Sequence, residues 1–220
     1  MSEYRRPVLP VETYIDEAGQ PINYGQRWSG LPPEDAYSKV SNLQRFAPLH
    51  TVADSLIEWL QNTFDVHTEE SSAVADDFLH SPSDIIRAVG VSPRDPAAAP
   101  LTFVLTEFPG VFLHAGALHD FYFPACGCDA CDDNVAGLAD KLEWTVHAVV
   151  AGRYFERFVR GNDWMESRLE GQEGNMSSGQ IRVSELPQEK VTLAREVLPA
   201  TGKWSAWEEP RTVDADRVND

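Results

Sequence analysis

The sequence predicts an α+β fold: an antiparallel sheet covered by one long helix and several shorter helices. Three observations carry this. β-branched and aromatic residues crowd the centre of the chain, from Ile85 to Phe123. Apolar residues recur at helical spacing from Val52 to Leu60 and again from Val135 to Val150. Turn residues separate the central runs closely, which suits strands that pair antiparallel with their neighbours in sequence. At 220 residues with 42% hydrophobic content the chain supports one good core, so residues 1–220 read as a single domain.

Residues 1–32 are rich in Pro, Gly and Tyr and show little periodicity, which predicts an irregular N-terminal arm. Within it, two short extended pieces flank a turn at Gly19. Tyr14, Tyr24 and Trp28 are its expected anchors, and Arg27-Trp28 reads as a packed aromatic beside an exposed arginine. Pro33-Glu34-Asp35 opens a helix expected to run to about Arg45, before the break at Pro48. Val52, Leu56, Trp59 and Leu60 form one apolar face of a second helix, at about 49–62.

Phe64 to Glu70 alternates as a short strand, and the acidic stretch 69–83 reads as a solvated loop or short helix. Strands follow at 85–91, 101–108, 111–116 and 118–123, with a hairpin turn at Pro109-Gly110. The main helix is expected from Asn134 to about Arg160, its stripe running from Val135 through Leu142 and Val149 to Tyr154, Phe155 and Phe158. That reading groups Arg153, Arg157 and Arg160 at its C-terminal end. A hairpin across a 171–179 loop adds the 164–183 region to the same sheet, a short helix fills 185–197, and residues 209–220 form a frayed tail.

The formal net charge of −17 repels phosphate backbones and argues against nucleic-acid binding. No apolar run approaches the ~20 residues of a membrane span, and the first residues lack the apolar core of a signal peptide. A soluble, cytoplasmic protein is the expectation, and that location favours metal-bound or free thiols over structural disulfides.

Every cysteine lies in Pro124-Ala125-Cys126-Gly127-Cys128-Asp129-Ala130-Cys131-Asp132-Asp133. The spacing is C-x-C-x2-C, and C-x2-C lets two sulfurs reach one zinc across a tight turn. Gly127 could supply a positive φ to such a turn. Zinc usually takes four ligands. His119, seven residues before Cys126, is the leading fourth candidate, ahead of His114, Asp120, Asp129 and Asp132. Strand parity puts His114 and His119 on opposite faces. His147 would lie about 24 Å along a helix from Cys131, too far to join. Asp132, Asp133 and Asn134 are each good N-caps for the helix that follows.

The expected function is therefore a non-catalytic protein with a structural zinc site made by Cys126, Cys128, Cys131 and His119. A thiol-based redox sensor or enzyme is the first alternative, and an acidic module for a basic protein partner is the second. No Ser-His-Asp signature, phosphate loop or H-E-x-x-H motif supports a common type of enzyme.

Several phrases carry a resemblance: Tyr24-Gly-Gln-Arg-Trp28, Arg45-Phe-Ala-Pro-Leu-His50, Phe108-Pro-Gly-Val111, His114-Ala-Gly116, Leu118-His-Asp-Phe121, Cys126-Gly-Cys-Asp-Ala-Cys-Asp132 and Gly202-Lys-Trp204. Together they make the chain resemble an uncharacterised actinobacterial family, a domain of unknown function with a CGCDxCD signature. The resemblance implies that the cysteine turn and His119-Asp120 mark the family. It brings no activity with it.

Overall fold

The computed structural model describes residues 3–172 and 174–210. The arm carries a two-residue hairpin of β1 (Tyr14–Ile15) and β2 (Pro21–Ile22) around Gly19, as the turn signal predicts. Two short 3₁₀ turns, Glu34–Tyr37 and Leu43–Phe46, replace the single helix expected over 34–45. The cause is long-range. The Lys39 carbonyl accepts from Asp129 N–H at 2.8 Å, and Ser41 N–H donates to the Asp129 carboxylate at 2.8 Å. Backbone groups that a helix would pair internally are thus bonded elsewhere, and Asn42 turns left-handed at φ 51°.

Helix α1 (Pro48–Thr63) then opens with proline in its first turn and buries Leu49, Val52, Ala53, Leu56, Ile57 and Leu60. Strands β3 (Val66–Glu70), β4 (Ile85–Pro93), β5 (Leu101–Thr106), β6 (Val111–Ala115) and β7 (His119–Phe123) make an antiparallel meander in sequence order. Leu101, Phe103, Leu105, Val111, Leu113, Ala115 and Phe123 share one face of it and join the main core with α1. β5 is buried on both faces, because a 3₁₀ segment at Ser72–Asp77 and Phe78 cover the other side.

Helix α2 (Val135–Val150) supplies Leu138, Ala139, Leu142, Val146 and Val149 to the main core. Its N-cap is Asn134, whose side chain accepts from Gly137 N–H at 2.8 Å. The helix does not continue to Arg160. Arg153 N–H returns to the Ala148 carbonyl and Gly152 N–H to Val149, with Gly152 at φ 65°. That pairing is a Schellman stop. Tyr154, Phe155 and Phe158 lie instead in β8 (Tyr154–Val159), so Arg153, Arg157 and Arg160 do not cluster at a helix end.

β8 pairs with β9 (Trp164–Glu170), and β9 with β10 (Met176–Arg182), as a separate three-stranded sheet. The expected single sheet is therefore two larger sheets. The free edge of β8 is taken by the chain end: Glu156 N–H donates to the Gly202 carbonyl at 2.8 Å and Trp204 N–H to Tyr154 at 3.1 Å. Helix α3 (Gln188–Val197) packs Val191 and Ala194 with Leu118, Met165 and Leu186. Buried Trp204 and Trp207 tie the end-piece down, and Trp207 Nε1 donates to the Ala99 carbonyl at 2.9 Å. Of the tail expected at 209–220, residues 211–220 lie outside the described residues.

Candidate metal centre

The cysteine loop leaves β7 through a cis Phe123–Pro124 bond and ends at the N-cap of α2. A 3₁₀ turn at Asp129–Cys131 closes it, with Cys131 N–H donating to the Cys128 carbonyl at 3.2 Å. This turn folds the three sulfurs inward, and all lie within 4.8 Å of one another. The Cys128 and Cys131 sulfurs are 3.5 Å apart. Cys128 is buried, whereas Cys126 and Cys131 are exposed.

Gly127 is needed for close approach rather than for a positive φ. A Cβ there would lie 2.3 Å from Cζ of Phe108, and Phe108 rests on buried Phe46. Gly127→Ala is expected to push the loop off this ring and destabilise the fold by about 1–3 kcal/mol, the usual cost of overpacking. A shift in the urea midpoint checks this, and an unchanged midpoint would show that the ring moves freely.

The shell behind the sulfurs comes from the N-terminal arm and from the segment around the 3₁₀ turns that follow it. Asp129, 1% exposed, accepts from Ser41 N–H at 2.8 Å and from Ser41 Oγ at 2.6 Å, and its carboxylate is 3.4 Å from Arg27. Trp28 Nε1 donates to the Asp129 carbonyl at 3.2 Å. Arg27 N–H donates to Asp132 Oδ2 at 2.7 Å. Arg27-Trp28 is thus a docking pair for the loop, not an aromatic beside an exposed arginine. Buried Arg45 donates to the Gly127 carbonyl at 3.3 Å and lies over the rings of Tyr24 and Phe46. Sequence periodicity missed Ser41 and Arg45. The only local hint was that both flank a predicted helix end.

The sulfurs differ chemically. Hydrogen bonding from Cys126 holds the Cys128 thiol below the ordinary range, helped by backbone N–H groups of Cys131 and Ala130. Burial, reinforced by its sulfur neighbours, pushes the Cys131 thiol up to about 12. Of these two sulfurs Cys128 thus loses its proton more readily than Cys131, and a bound metal would displace the protons of its ligands.

His119 is not brought to this cluster. It begins β7 opposite Ala115, whereas the loop leaves the strand at Phe123, four residues or about 13 Å further along. Its ring packs on Phe121, and burial lowers its pKa to about 4. His114, on the opposite face, is bonded to Asp120 at 2.6 Å, so those two are committed to each other. Asp129 is committed to Ser41 and Arg27. Asp132, beside Cys131, keeps one buried oxygen with no hydrogen-bond partner. His147 sits between Tyr4 and Trp59, remote from the loop in sequence and packing.

Among the described residues no helix is long and apolar enough to cross a membrane. No curated protein and no solved structure matches the chain. A family of unknown function (DUF6226) matches residues 10–211. That span takes in the arm from residue 10 onward, both larger sheets, the cysteine loop and the tryptophan end-piece, and the chain belongs to this family.

Proposed function

We propose that the Cys126–Cys131 loop is a structural zinc site and that the protein acts there without catalysis, the metal fixing the loop on which the N-terminal arm docks. One observation carries this. Three sulfurs within 4.8 Å sit on a loop whose backbone and Asp129 side chain receive Trp28, Lys39, Ser41 and Arg45. Cys126, Cys128 and Cys131 are the protein ligands. With His119 outside the cluster, Asp132, next to Cys131 and holding one buried oxygen without a hydrogen-bond partner, is the side chain that would close the site as a fourth ligand.

Metal analysis of tag-free protein purified without chelator is expected to give about one zinc per chain, with thiols that titrate only after chelator is added. Cys128→Ser is expected to lose the zinc and lower Tm by about 4 °C or more, since one kcal/mol moves Tm by roughly 2–4 °C at this size. Metal-free protein with three freely titrating thiols would overturn the reading. The 3.5 Å Cys128–Cys131 approach would then make reversible disulfide formation the better account.

A further inference from the structure

A cavity of about 390 Å³ opens between the C-terminal half of α2 and the loop that joins β9 to β10. Trp144, His147 and Ala148 line it from one face of the helix. Arg153, just past the stop at Gly152, and the loop residues Gly171 and Asn175 line the rest. Gly171 N–H donates to the Asn175 carbonyl at 2.7 Å, which closes the loop on this side.

Two donors of this wall are unsatisfied. Trp144 Nε1 and Arg153 Nε are both buried, and neither has a hydrogen-bond partner. Arg153 also forms no ion pair among the described residues. Buried donors are almost always paired, so two in one cavity call for an acceptor that the protein itself does not supply. Acids are not scarce: the chain holds 35 Asp and Glu for 18 Lys and Arg. The neighbouring ones are engaged. Glu143, one turn before His147, accepts from Tyr4 and Arg6. Glu170, whose N–H donates to the Arg153 carbonyl, pairs with Arg168 at 3.1 Å.

The roles of the two donors depend on no tautomer and no titration. An indole nitrogen only donates, and a guanidinium stays charged. No acidic side chain lines the cavity among the described residues. At Gly171 a Cβ would lie 2.7 Å from Trp144 Nε1, so its absence leaves space beside that donor. The exposed Asn175 side chain reaches into this space with its amide oxygen but makes no hydrogen bond to the indole. A ligand oxygen can therefore displace it without breaking a bond.

We propose that this cavity binds a small organic carboxylate, which takes the place of the Asn175 amide beside the indole, pairs with Arg153 and lays its apolar body against Trp144. Carboxylate oxygens match both donors, and a guanidinium holds a planar carboxylate well. A phosphate dianion would leave a second charge unmatched by one arginine in an acidic protein.

The test is a titration with butyrate, butyramide, n-butylamine and inorganic phosphate at constant ionic strength. It is read on the Trp144 indole ¹H–¹⁵N resonance, assigned by its loss in Trp144→Phe. Butyrate is expected to give a saturable shift, with butyramide and phosphate weaker by about tenfold or more and butylamine without effect. Arg153→Gln removes a side chain that holds no partner, so its Tm should stay close to wild type while butyrate weakens by about tenfold or more. Arg153→Lys, which keeps the charge without the planar fork, should fall between. Glu173 of this loop lies outside the described residues, and Glu173→Gln is expected to leave butyrate binding in place. No saturable response to butyrate, an equal response to butyramide or phosphate, or unchanged affinity in folded Arg153→Gln would overturn the proposal. So would binding that appears only in Glu173→Gln, since the chain would then supply its own carboxylate.

Discussion

Glu156→Ala is expected to destabilise the protein by about 3–5 kcal/mol, because it strips the acceptor from several buried donors at once. Glu156 is fully buried on β8. Its carboxylate accepts from Ala117 N–H, Leu118 N–H and Trp204 Nε1, each at 2.9 Å. One side chain thereby joins the β6–β7 turn, the three-stranded sheet and the chain end. Alanine leaves three buried donors without an acceptor, and each such group costs about 1–3 kcal/mol. Urea denaturation checks this. Glu156→Gln keeps the shape and one acceptor oxygen but turns an N–H₂ toward a donor, so its loss is expected to be smaller than that of alanine and still measurable.

The same residue gives a pH dependence of defined sign. Burial raises the Glu156 carboxyl above the ordinary range, against the pull of its three donors. A raised folded-state value means that the stability Glu156 contributes is fully present below the unfolded value of about 4.3 and declines as pH rises through the folded value. Glu156→Gln has no such titration. The stability gap between wild type and Glu156→Gln is therefore expected to be widest in acid and to narrow toward neutral pH. A gap that widens instead would mean that the carboxylate is stabilised in place, with a lowered pKa.

The close approach at Gly116 belongs to this junction too. At φ 69°, a Cβ on Gly116 would lie 2.0 Å from Glu156 Oε2, so the turn and the carboxylate are fitted to each other. Such a fit is invisible in sequence. What was legible was local: the β5–β6 hairpin from its β-formers and Pro109-Gly110, the α1 face from its spacing, and the thiol cluster from C-x-C-x2-C. What was not legible depended on distant partners. Tyr154, Phe155 and Phe158 satisfy a helical stripe and a strand equally, and Gly152 decides between them: its φ of 65° ends the helix, and a Cβ there would lie 2.5 Å from the Ala206 backbone nitrogen. His119 was a plausible ligand by number alone, but a strand between it and the loop carries it away. The chemistry of Asp120 reads differently once His114 stands across from it on β6.

The second large effect is expected at Asp129, where the arm meets the cysteine loop. Asp129→Ala removes the acceptor for both Ser41 donors and the counter-charge of Arg27, whose guanidinium already has one buried nitrogen without a hydrogen-bond partner. A loss of about 3–5 kcal/mol is expected, because the remaining cation is held in a largely buried site. Asp129→Asn keeps an acceptor for Ser41 N–H and should lose roughly half of that. The two kinds of damage separate experimentally. If Asp129 mainly holds the end of the arm and the 3₁₀ turns that follow it, hydrogen exchange in Asp129→Ala rises first over residues 23–46 while β4 to β6 stay protected, since local opening needs only part of the global free energy. If exchange rises evenly through the sheet, the arm is an inseparable part of the core. The zinc proposal then adds a condition. A loop fixed by metal should hold its own shape when the arm is released, so Asp129→Ala should retain zinc whereas Cys128→Ser should lose both the metal and arm protection. Loss of zinc in Asp129→Ala would show the reverse dependence, with the arm shaping the cysteine loop and the sulfurs following.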